Sequence, residues 1–177
     1  MLISDQYRAQ QAELHKNPNY GTASIAYAPL VSDIINRLQI REVLDYGAGK
    51  GNLAKHLQPQ HEVSVKHYEP SNLDWAHEPD SAEMVCCIDV LEHIEPELLD
   101  NVFDDLKHKT EQFGFFTVHT GPAVKLLPDG RNAHLIQEPS SWWLPKIMER
   151  FELVNFQLQP NGFYVLVRPW QSPLIQS

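Results

Sequence analysis

Cysteine is scarce in this 177-residue chain: there are two, Cys86 and Cys87, side by side in an apolar run. Neighbours on a strand point to opposite faces, so the pair reads as small core residues in a reducing compartment, not as a disulfide or a metal pair. No stretch approaches the roughly 18–20 uninterrupted apolar residues of a membrane helix, so no membrane partner is expected. Residues 1–6 show no basic region followed by an apolar core, so no signal peptide is expected either, and cytoplasmic is the predicted location. Positive charge is also short: 14 Lys and Arg face 23 Asp and Glu, a formal net charge of −9 with nine His taken as neutral. A field of that sign opposes long phosphate backbones, which argues against duplex DNA and leaves room for a small molecule or a short RNA end. Internal repeats and low-complexity segments are missing as well.

What the chain does have is 42% hydrophobic residues, enough for one domain with a sizeable core. A weak helical pattern over 1–16 includes Tyr7 and Leu14 and ends in the turn signals of 17–21. A second helix is predicted over about 24–38, where Tyr27, Leu30, Val31, Ile34, Ile35 and Leu38 share one face; Pro29 falls in its first turn if it starts near Ala28. Strands are predicted over 42–46, 62–68, 83–89 and 114–119, with helices over 52–57 and 95–109. The run Met84–Val85–Cys86–Cys87–Ile88 is apolar on both faces, as in a strand covered on both sides. Residues 120–139 lack periodicity, and loops of that length are usually functional or disordered. Ser140 and Ser141 are placed to cap a helix over 142–150 with Trp142 and Trp143 inward. Residues 151–159 and 163–169 read as a closing antiparallel hairpin around 160–162.

The predicted fold is α/β, a Rossmann-like doubly wound sheet, mostly parallel with a C-terminal antiparallel hairpin. In such a fold ligands sit at the carboxyl ends of the strands, where Asp45, Glu69, Asp89 and His119 fall. Strand 42–46 runs into Asp45–Tyr46–Gly47–Ala48–Gly49–Lys50–Gly51–Asn52. Alternating glycines let the backbone turn tightly against a ligand. A P-loop would need a Lys–Ser or Lys–Thr after longer spacing, which is missing. A dinucleotide fingerprint would need glycine where Asn52 stands, and Asp45 would repel a pyrophosphate. A cationic nucleoside is the third reading, and Asp45 would attract it.

These segments resemble the class I S-adenosylmethionine-dependent methyltransferases. Residues 45–51 match that family's D-x-G-x-G-x-G segment, Glu69 matches the acidic residue that takes the ribose hydroxyls, and residues 88–94 match its strand-four motif. The resemblance implies S-adenosyl-L-methionine as cofactor, bound by Asp45, Gly47, Gly49, Glu69 and Asp89, in a seven-stranded fold on one domain spanning 1–177. The stretch between Glu69 and Glu83 is shorter than the family's, so the unit flanking the adenine is reduced or missing; Trp75, Asp74 and Asp80 are candidates to replace it.

Asp89–x–x–Glu92–His93 and the later His134 resemble a second pattern, that of the small-RNA 3′-terminal 2′-O-methyltransferases. That resemblance implies a divalent metal ion on Asp89, Glu92, His93 and His134. The catalytic candidates are His93, His119 and His134, since an ordinary imidazole suits proton removal near neutral pH. The acceptor is expected to be an oxygen or nitrogen nucleophile of a small molecule, with an RNA 3′ end or a non-catalytic cofactor-binding module as alternatives. Residues 1–40, with Tyr20 and Gly21, are expected to form part of a lid, and 120–150 to cover the acceptor site. Lys125 and Arg131 would suit an anionic substrate group.

Overall fold

The computed structural model describes residues 1–17 and 20–170. Two helices, α1 (Asp5–His15) and α2 (Ala23–Leu38), precede the first strand. Then follow β1 (Glu42–Tyr46), the five-residue α3 (Asn52–His56), β2 (Ser64–Tyr68) and β3 (Ala82–Ile88). After two 3-10 turns come α4 (Leu99–Lys109), β4 (Thr110–His119), α5 (Ser140–Met148), β5 (Phe151–Gln159) and β6 (Gly162–Pro169). The sheet runs β2-β1-β3-β4-β6-β5; β1 to β4 are mutually parallel where they pair, and β6 lies antiparallel between β4 and β5. This is the expected Rossmann-like sheet with its antiparallel C-terminal hairpin.

Side-chain alternation divides the core into two layers. Val43, Met84, Cys86, Ile88 and Phe115 face α2, which contributes Ala28, Val31 and Ile35. Leu44, Val85, Cys87, Phe116 and Val118 face α4 and α5, which contribute Val102, Phe103, Leu106, Trp143 and Ile147. The adjacent cysteines thus separate onto opposite faces, both buried with free thiols.

Several boundaries differ from expectation for local reasons. The sheet has six strands among the described residues, one fewer than the seven-stranded resemblance implied. Residues 69–81 are spent on turns, so the chain passes from β2 directly to β3. Helix α2 begins at Ala23, close to the expected start near residue 24, so Pro29 lies inside it and not in its first turn. Tyr27 on this helix packs edge-on against Phe115, ring centroids 6.0 Å apart. Ser140 and Ser141 lie inside α5, which follows Pro139 without a side-chain cap. Trp143 is buried and its indole N–H donates to the Glu138 carbonyl, whereas Trp142 is half-buried beneath Lys146. The predicted 95–109 helix divides into a 3-10 turn, Pro96–Leu98, and α4.

Candidate active site

A cleft of about 900 Å³, counting its open mouth, lies at the carboxyl ends of β1, β2 and β3. Its floor is the glycine turn. Gly47 adopts φ +80 beneath Val90, and a Cβ at this position would run into the Val90 side chain. Gly49 adopts φ +53 beneath the His15 ring. Both requirements exclude larger residues.

Most of the turn's N–H groups are already committed. Those of Gly47 and Ala48 donate to the Tyr68 carbonyl at 2.8 and 3.0 Å, and that of Gly51 to the Ala48 carbonyl at 2.7 Å. The Gly49 N–H donates to Glu69 Oε2 at 3.0 Å. A phosphate would therefore meet carboxylates instead of free donors, which removes the phosphate-loop reading on geometry. What faces the cleft is acidic: Asp45, Glu69 and Asp89.

Asp45 is 3% exposed, and its Oδ2 is buried with no hydrogen-bond partner among the described residues. Burial, helped by the nearby Glu69 charge, raises its pKa from 3.8 to about 7. An orphaned carboxylate beside a glycine cradle fits a ligand that brings positive charge and hydrogen-bond donors. The Glu69 carboxylate accepts from Gly49 N–H, Ser71 N–H and Ser71 hydroxyl, which holds it rigidly at the cleft. Asp89 sits just past β3 at φ +59, its N–H donating to Thr117 Oγ1 at 2.9 Å. Asp tolerates this left-handed conformation, and the bend aims the loop across the cleft.

His93 lines the cleft beside Asp89, and His134 and His119 follow behind it without lining the cleft. His93 and His134 have ring centroids 4.7 Å apart, and His119 lies 4.8 Å from His134. The His93 Nδ1 lies 2.8 Å from the Ala133 carbonyl, and the His134 Nδ1 lies 2.7 Å from the Gly121 carbonyl. A carbonyl can only accept, so each Nδ1 carries the proton and each Nε2 keeps a lone pair. Burial lowers both pKa values, that of His93 to about 4, so both rings are neutral at physiological pH. One ligand atom each from Asp89, His93 and His134 lies within 4.8 Å of the others.

Glu92 departs from the four-ligand set expected with them. It is fully buried, and its Oε1 accepts the His119 N–H at 2.5 Å. Burial and then the Asp89 charge raise its pKa well above the ordinary range. Its Oε2, like Asp45 Oδ2, is buried with no hydrogen-bond partner among the described residues.

The α1 helix and the turn after it roof the cleft. Tyr7, Gln11 and His15, four residues apart on one face, line it together with Tyr20 and Gly21. Lys50, from the glycine turn, donates to the carbonyls of Asn17 and Tyr20 at 2.5 and 2.8 Å. Tyr7, Gln11 and His15 were not among the expected site residues; their only signal in the chain is a polar and aromatic i, i+4, i+8 stripe.

Other expected residues lie elsewhere. Trp75 stacks on His67, centroids 4.5 Å apart, while Asp74 and Asp80 are exposed, and none of the three lines the cleft. Arg131 is engaged by Asp129 at 2.8 Å on the surface, and Lys125, Trp142 and Trp143 do not reach the cleft either. No helix among the described residues is long and apolar enough to cross a membrane.

Comparison with known proteins gives a consistent result. No curated protein sequence matches the chain. Among solved structures, it superimposes on an O-methyltransferase family protein from Burkholderia thailandensis with a TM-score of 0.63 at 11% identity. That match covers 91% of this chain and 63% of the other. It also superimposes on the 1,6-didemethyltoxoflavin-N1-methyltransferase of the same organism, bound to 1,6-didemethyltoxoflavin and S-adenosylhomocysteine. There the TM-score is 0.65 at 15% identity, covering 96% of this chain and 91% of that one. The DhpI–SAH complex gives a TM-score of 0.59 at 18% identity, with 93% of each chain covered. At such identities the likeness establishes the fold. The family rests on a sequence model, the methyltransferase domain, which matches residues 12–161. The chain belongs to that family, the class I S-adenosylmethionine-dependent methyltransferases.

Proposed function

We propose that this protein transfers a methyl group from S-adenosylmethionine to an oxygen or nitrogen of a small molecule. The observation that carries the acceptor side is the pair of neutral imidazoles, His93 and His134, with free Nε2 lone pairs beside Asp89. The cofactor side rests on the orphaned Asp45 carboxylate, the glycine cradle and the Glu69 carboxylate. Bound S-adenosylmethionine supplies a methyl carbon already activated by its sulfonium. The protein's part is to align the acceptor and remove its proton. Glu69 would take the ribose hydroxyls, and Asp45 would face the cationic arm. His93 or His134 accepts the acceptor's proton on Nε2, and Asp89 stabilises the resulting imidazolium. The α1 roof excludes water. Small-molecule acceptors fit the acidic cleft, and one structural neighbour carries a small heterocycle, 1,6-didemethyltoxoflavin.

A metal-assisted version is the second reading, favoured by one feature. Both Nδ1 atoms are anchored on backbone carbonyls, the arrangement by which proteins orient metal-binding imidazoles. Asp89, His93 and His134 would hold a divalent ion, which would lower the pKa of a bound hydroxyl.

The experiment is a coupled assay for S-adenosylhomocysteine release across small phenols, alcohols, amines and an oligoribonucleotide with a free 3′ ribose, with and without Mg²⁺, Mn²⁺ or Zn²⁺. Turnover on a small molecule, reduced about 100-fold or more in His93→Ala and His134→Ala with cofactor binding retained, is the expected result. Turnover only on the oligoribonucleotide would overturn the small-molecule acceptor. Cofactor binding with no turnover on any acceptor would favour a non-catalytic module.

A further inference from the structure

The cleft is lined by two kinds of residue. Asp45, Glu69, Asp89 and His93 are charged or polar, whereas Leu2, Ile3, Pro70, Val90, Ile94 and Val102 carry no polar side-chain atom. A nucleoside held by its ribose at Glu69 would have its charged amino-acid arm satisfied by the acidic residues. Its flat, uncharged base is then left for the apolar ones.

Something must wall that base on the outside, where the chain has no strand–helix unit between β2 and β3. The segment linking β2 and β3 does not do so, since Trp75 is stacked on His67. Ala76 and Pro79 line a separate, shallower cleft, which shares Leu2 with the main one. Leu2 therefore stands between the linking segment and the main cleft. Residues 1–4 are pinned in that position from both ends. Asn101 Nδ2 donates to the Met1 carbonyl at 3.1 Å. The Ser4 N–H and hydroxyl donate to the two oxygens of Glu95 at 2.8 and 2.6 Å. Leu2 also packs against the core layer that includes Val102 and Phe103.

We propose that Leu2 and Ile3 form the outer wall of the adenine subsite, taking the place of the unit missing between β2 and β3. This rests on the cofactor reading above. Residues ahead of α1 thereby become part of the nucleoside site.

The test is photolabelling with an S-adenosylhomocysteine analogue bearing an azide on the purine, with the site located by peptide mass spectrometry. The expected result is label within residues 1–8 that excess S-adenosylhomocysteine suppresses. Suppressible label that spares residues 1–8 would overturn the proposal and leave the cofactor reading standing. No suppressible label and no calorimetric binding of S-adenosylhomocysteine would overturn both. In parallel, Leu2→Asp/Ile3→Asp should weaken S-adenosylhomocysteine binding at least about tenfold, about 1.4 kcal/mol. Asp74→Ala/Asp80→Ala should leave it unchanged. Equal affinity of the Leu2/Ile3 double variant and the wild type, both folded by circular dichroism, would also overturn it.

Discussion

Replacing Asp45 by Asn should make the protein more stable and less able to bind its cofactor, and the two effects should separate by pH. The folded-state pKa of Asp45 is raised from 3.8 to about 7, first by burial and second by Glu69. The sign follows from linkage. A folded pKa above the unfolded one means that folding takes up a proton between about pH 4 and 7, so stability falls across that window and levels off above it. An ionised carboxyl displaced that far costs about 4 kcal/mol at pH 8. Asn carries no charge, which removes that cost, but its amide brings its own need for partners beside an acceptor that has none. A net gain of about 2 kcal/mol is reasonable, and for a chain of this size it raises Tm by about 4–8 °C. Thermal unfolding of both proteins should show that gain at pH 8 and its decline as pH falls toward 4. Calorimetry at pH 8 should show weaker binding of S-adenosylmethionine to the variant. A variant that melts below the wild type at pH 8 by the same margin as at pH 4 would refute the claim that Asp45 is a strained charge.

Three more outcomes follow from the site. Gly47→Ala places a methyl group against Val90 at φ +80, so stability should drop by about 1–3 kcal/mol with loss of cofactor binding; a wild-type melt and affinity would contradict the close approach. Glu92→Gln keeps an oxygen for the His119 N–H, whereas Glu92→Ala strands that N–H and should cost about 2–4 kcal/mol more by urea unfolding. Equal loss in both variants would contradict the weight placed on that hydrogen bond. Lys50→Met removes both donors to the turn carbonyls, so amide exchange over 20–24 should quicken and S-adenosylhomocysteine should dissociate faster; unchanged exchange would place the latch elsewhere.

The sheet was readable from the chain because its signals are local. The apolar run in β3, the glycine turn after β1 and the hairpin each declare themselves within a few residues. The glycine turn, Glu69 and Asp89 could be placed at one edge because parallel strands bring their carboxyl ends together. His134 entered only through a resemblance, and the structure brings it against His93 across a loop without periodicity. The roof was the least legible part. Tyr7, Gln11 and His15 sit on a helix whose moment is weak because its inward face is polar, so no hydrophobic stripe marks it. Trp75 misled because a large aromatic in a short linking segment can turn either way. It stacks on His67 of β2, a contact no spacing rule specifies. The 3-10 turn over Leu91–His93 was not legible either: it buries Glu92 while its neighbour His93 lines the cleft.

The most direct test of the whole account is a calorimetric titration of the wild-type chain with S-adenosylhomocysteine, repeated with Glu69→Ala. The acidic, glycine-floored cleft predicts saturable one-to-one binding that is lost or weakened at least about tenfold in the variant. No heat with the wild type, or equal affinity in the two proteins, would contradict the assignment of this cleft to the cofactor.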